Sequence, residues 1–146
     1  MDNDKAPTLT EFVKARIAER EAVARAAVER NGAHWSTEQL GEGTRINGTV
    51  DRGNPRAYPD SPELWDDEGA LGMFRETAAH IALHDPARVL AECEAKRAIV
   101  ADRDRIDRSA DGDEWSMGYS DANYSALHAL AAVYADHPDY LPEWKP

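Results

Sequence analysis

His80 and His84 stand four residues apart in RETAAHIALH (75–84). On a helix that spacing turns two imidazoles to one side, which is how helical metal sites are built. Asp85 follows at once, and His137 could bring a third nitrogen to a divalent transition metal. A competing structural reading packs His80 on its helix face and uses Asp85 to cap the next helix, with Pro86 at the first helical position. The structural reading leads, because neither a Glu-x-x-His context nor a cysteine partner accompanies the pair.

Arg88 falls in the first turn of that next helix, where a cation opposes the macrodipole. It is therefore expected to be tied to a carboxylate, such as Asp85 or one in 136–146, ahead of any free anion or substrate. Cys93 lies between Leu90 and Val100 on an apolar face, so it reads as a buried, inert thiol. Asp107-x-Ser109-x-Asp111-Gly112 resembles the first half of a calcium loop. The twelfth position, where a bidentate Glu belongs, is Gly118, so the chemistry fails there. No Ser/His/Asp order is recognisable, and Gly41-Glu42-Gly43 lacks the lysine of a phosphate loop. The adjacent acids Asp66-Asp67-Glu68 and Asp113-Glu114 read as solvated. No catalytic constellation and no cofactor are implied.

Four tryptophans, Trp35, Trp65, Trp115 and Trp144, all fall outside the expected helices. They would plug gaps between loops and helices, or mark a partner surface where two are exposed together. The candidate partner-binding residues are accordingly Trp35, Trp65, Asp66, Asp67, Glu68 and Trp115.

The elements that must carry these residues follow from periodicity. Thr8 and Glu11 have the capping-box spacing, and Leu9, Phe12, Val13, Ile17, Ala24, Ala27 and Val28 recur at helical intervals up to Asn31-Gly32. A helix over 8–31 is expected, with Glu21–Arg25 paired on its polar side. Glycine and proline then break the period through a β-like middle, 33–74, with a mobile loop at 51–62. Asn47-Gly48 is the hairpin signal there. Helix resumes over 75–135, first as a short segment and then from Pro86 to about Arg108. In that second segment Val89, Leu90, Cys93, Ile99, Val100 and Ile106 face inward, while Glu92–Lys96 and Asp104–Arg108 pair outside. A polar loop, 109–116, precedes a last helix capped by Ser120 or Asp121, with Leu127, Leu130, Ala131 and Tyr134 on one face. An extended tail, 136–146, is expected to dock through Tyr140 and Trp144. The fold expected is α+β, one domain with three main helices and one short helix packed on a small antiparallel β-meander. In it Asp85, Pro86, Arg88, Tyr140 and Trp144 are structural.

Two blocks, AHIALHDPARVLAECEAKRAIV (79–100) and YADHPDYLPEW (134–144), are similar to those of an uncharacterised family of small proteins. That family occurs in actinobacteria and their phages and is known only as a domain of unknown function. The resemblance implies such an origin and carries no activity.

Composition bounds the rest. Apolar residues form 42% of the 146 and charged residues 31%, enough to build a core without metal or disulfide. A single cysteine excludes an intrachain disulfide. With neither an apolar leader nor a long apolar run, a cytoplasmic protein without membrane contact is expected. The net charge of −11 argues against direct nucleic-acid binding. That charge is uneven: 33–85 carries ten acids against four bases and 110–146 seven against one, whereas the two long helices are nearly balanced. The function expected is a non-catalytic acidic module that binds another protein. Its specific form is a phage modulator of a host or defence protein that presents carboxylates where phosphates are expected. The alternative is a metal-binding protein or metal-dependent enzyme using His80 and His84.

Overall fold

A computed structural model describes residues 6–40, 43–48, 75–108 and 112–146. In chain order these form α1 (Leu9–Asn31), β1 (Trp35–Leu40), β2 (Gly43–Gly48), α2 (Arg75–Leu83), α3 (Pro86–Arg108) and α4 (Glu114–Ala132), then a single 3-10 turn, Pro142–Trp144. The described chain is predominantly helical. The long helices start and stop where side chains and glycine satisfy their ends. At α1, Glu11 Oε2 accepts from the Thr8 amide (2.8 Å) and the Glu11 amide donates to Thr8 Oγ1 (3.2 Å). Its far end closes at Gly32, whose φ of 83° is easily adopted only without a Cβ, and whose amide donates to Val28 O.

The chain divides into two compact units, 20–92 and a second made of 1–19 with 93–146. Within 20–92, β1 and β2 pair antiparallel from Trp35–Gly48 to Leu40–Gly43. Ile46 and Ala78 are buried, with Trp35 and Ile81 packed against them, so the hairpin rests on α2. Asp85 ties the segment together. Its carboxylate accepts from the Arg88 amide (2.8 Å) and the Trp35 amide (3.3 Å), while the Ala87 amide donates to Ala33 O (2.9 Å).

In the other unit the core is Leu9, Phe12, Val13, Ile17, Cys93, Val100, Leu127, Ala131 and Trp144. Phe12 stands at its centre, with the rings of Tyr134, His137, Tyr140 and Trp144 at 6.4, 5.7, 5.9 and 4.9 Å. The Lys14–Asp104 ion pair (2.9 Å) and the Cys93 thiol against Ile17 O (3.8 Å) give α1 and α3 opposed directions within this unit.

Several sequence expectations need correction. The α+β fold on an antiparallel meander is not supported: the β structure of the described residues is one two-stranded ladder in a helical protein. The expected strand pieces at 63–65 and 70–74, like the loop 51–62, lie outside the described residues. Asn47-Gly48 is not the hairpin turn but lies within β2, opposite Ser36 and Trp35. The ladder closes instead at Leu40 and Gly43, since a Gly-x pair is also a two-residue hairpin signal.

The last helix begins seven residues earlier than expected. Asp113 caps it by accepting from the Ser116 amide (2.7 Å), which leaves Ser120 and Asp121 inside the helix. Consequently Trp115 is helical. Residues 136–146 are not extended throughout, because the stacked turns around His137 and the 3-10 turn bend them back onto Phe12. On α3, Glu92 pairs with Arg88 (3.1 Å) and Arg20 (3.9 Å), Asp104 pairs with Lys14, and Arg108 donates to the Asp104 carbonyl.

A candidate interaction surface on the fourth helix

The pattern of α4 separates its two sides. Asn123, Leu127 and Ala131 are buried, and the Asn123 side chain donates to Ile99 O at 3.0 Å. Arg103 supports this inner side while itself buried. It donates to Ser120 O and Oγ, pairs with Asp107 (2.5 Å), and lies over the Tyr124 ring at 6.0 Å. Along α4, Trp115 (77% exposed), Met117, Tyr119 and Tyr124 are exposed, Trp115 and Tyr119 on one flank of the buried stripe and Met117 and Tyr124 on the other. The Tyr119 ring stacks on Trp115 with centroids 5.7 Å apart and planes within 1°. Its hydroxyl donates to Asp102 Oδ2 (3.2 Å) on α3, and Asp102 also faces Arg105.

Acidity accompanies this surface. Asp113 and Glu114 precede Trp115, Asp121 follows, and α4 holds neither lysine nor arginine. Hydrogen bonds from the Ser116 side chain and amide hold the Asp113 carboxyl below its ordinary value of 3.8, so it is ionised at neutral pH. Exposed aromatic and thioether groups in such a setting can bury apolar area against a partner.

The other sequence candidates are placed as follows. His80 and His84 are both exposed on α2, with rings 4.7 Å apart and edge to face. His80 is thus not packed into the helix face, as the structural reading expected. His137 belongs to the other unit, where its ring nitrogens contact Arg16 Nη1 and Nδ1 accepts from the Asp139 amide (3.1 Å). Among the described residues no group of three or more His, Cys, Asp or Glu is arranged to hold a metal ion.

Trp35 is half-buried and committed to the hairpin, its indole N–H donating to Gly32 O at 3.1 Å. Trp65, Asp66, Asp67 and Glu68 lie outside the described residues. Asp85 and Pro86 occupy the turn into α3, and the Arg88 side chain pairs with Glu92 while its amide donates to the Asp85 carboxylate. Tyr140 and Trp144 meet each other at 5.7 Å beside Phe12.

Arg16 was missed by sequence reasoning. It is 7% exposed, lies over Phe12 at 5.2 Å and pairs with Glu19 at 2.6 Å. The signal was available, since position 16 falls on the same helical stripe as Leu9, Phe12 and Val13.

The described residues thus define a helical protein with a small hairpin and exposed aromatic residues on its last long helix. The chain belongs to a family of unknown function, DUF6221, whose model matches residues 6–146. No curated protein and no solved structure matched. No helix among the described residues is long and apolar enough to cross a membrane.

Proposed function

We propose that this protein is a non-catalytic, acidic interaction module that engages another protein, and that in a phage setting it modulates a host or defence protein. The observation that carries the reading is the exposure of Trp115, Met117, Tyr119 and Tyr124 on the two flanks of α4. Several large apolar groups left in water on one helix are a mark of an interaction site. The acids around them favour a partner with a basic, phosphate-binding face, for which carboxylates can substitute.

The test is affinity capture from an actinobacterial lysate, comparing the wild-type chain with a double variant, Met117→Ser and Tyr124→Ser. The reading expects a discrete protein that is enriched by the wild type and depleted by the variant. Equal recovery by both, or none above a control resin, overturns it.

A second reading, metal binding through His80 and His84, draws support from their shared exposed face and the proximity of their rings. It requires a further ligand. Elemental analysis of protein purified without a histidine tag decides it: a stoichiometric transition metal supports the reading, and a metal content at background sinks it.

A further inference from the structure

Three features of α4 have no use inside the unit that contains it. The first is the Trp115–Tyr119 stack. Tyr119 covers one indole face and is itself held by Asp102, while Trp115 remains 77% exposed. The second is Gly118, three residues after Trp115 and within the helix. Glycine is disfavoured at such a position because it loses the most backbone freedom on folding. A Cβ at Gly118 would meet nothing within 4 Å, and among the described residues only Gly32 has a positive φ. Neither packing nor backbone conformation therefore calls for glycine there. Local rules broken without internal reason are a mark of functional sites. The third is charge, with Asp113 and Glu114 at the Trp115 end and neither lysine nor arginine on the helix.

We propose that Trp115, Gly118 and Tyr119 form a shelf that docks an arginine-bearing segment of a partner protein. This rests on the interaction-module reading and gives it a site and a partner chemistry. An arginine guanidinium stacks on the open indole face through its plane while its edge donates to Glu114 or Asp113. A lysine ammonium has no plane to stack, so it gains less from the same shelf. Gly118 lets the partner's backbone come closer to the helix than any side chain would permit.

The experiment titrates the full chain with a short peptide of alternating arginine and serine, and with lysine and glutamate counterparts. Amide chemical shifts report location and tryptophan fluorescence reports affinity. Saturable binding of the arginine peptide is expected, with shifts centred on Trp115, Gly118 and Tyr119. The lysine peptide should bind more weakly and the glutamate peptide not at all. Trp115→Ala should weaken binding about tenfold, between the sizes of an exposed and a desolvated cation–π contact. Gly118→Leu should weaken it comparably while leaving the melting temperature unchanged or raised. Binding changed by less than about twofold in both variants, shifts centred elsewhere, or equal binding of the glutamate peptide overturns the shelf. Self-association of the chain through this face overturns it too, since a second copy would then be the occupant. A lysate partner recovered equally by wild type and Trp115→Ala sinks the shelf alone and leaves the module reading standing.

Discussion

Trp144→Ala measures what the C-terminal turns contribute to the unit they close. Trp144 is 5% exposed, its ring lies 4.9 Å from Phe12 and 5.7 Å from Tyr140, and its carbonyl meets His128 Nδ1 at 2.8 Å. The substitution keeps that backbone contact and removes only the indole. A buried Trp→Ala change costs about 3–5 kcal/mol, through lost transfer energy and the cavity left beside Phe12. Against a typical stability of about 5–15 kcal/mol this is a large fraction. With a urea m-value of about 2 kcal/mol/M the midpoint should fall by roughly 2 M. Urea titration followed by circular dichroism reads this directly, with exposed Lys145→Ala as the control. A midpoint displaced by less than about 0.3 M would show that the indole is not part of the core and that the docking argument is wrong.

Other substitutions probe separate parts of the fold. Ile17→Asp buries an unpaired carboxylate at a site only 2% exposed and should abolish cooperative melting; an unchanged melting curve would refute the placement of α1's apolar stripe. Asp85→Ala removes acceptors for the Arg88 and Trp35 amides and should cost about 1–2 kcal/mol, read as a lower melting temperature; no change would show that the turn into α3 holds without it. Asp113 has a depressed folded-state value, so its contribution is fully present above the unfolded value near 3.8 and is lost as pH falls through the lower folded one. The melting-temperature gap between wild type and Asp113→Ala should accordingly shrink below pH 3.8, and a gap constant into stronger acid would refute the cap's electrostatic role.

Local signals made the helices legible. Thr8 with Glu11 and Asn31 with Gly32 mark α1 because capping and left-handed closure depend on residues within one turn. The Asp85-Pro86 start of α3 is legible for the same reason. Asp113 was passed over because Ser109–Ser116 reads as loop by composition, and only a carboxylate actually reaching the Ser116 amide distinguishes a cap from a solvated acid. The hairpin register was equally undecidable, since Asn47-Gly48 and Gly41-Glu42 both satisfy two-residue chemistry and the choice depends on how Ile46 packs against α2. The α4 face could not be seen at all while Trp115 was assigned to a loop. Placing it in the first turn of a helix, four residues before Tyr119, is what lets the two rings stack.

The aromatic cluster around Phe12 has a consequence for biogenesis. Residues 20–92 form one uninterrupted stretch, so all the partners for the contacts of that unit are present once it has been synthesised. The other unit draws Phe12 from one end of the sequence and Trp144 from the other. At about 5–20 residues per second the ribosome delivers the second ring on the order of 10 s after the first. During that interval Leu9, Phe12, Val13 and Ile17 have no indole to cover them, and the nascent chain displays a hydrophobic stripe of the kind that chaperones hold. Folding of this half therefore waits for Trp144, and joining positions so distant in the chain is intrinsically slow.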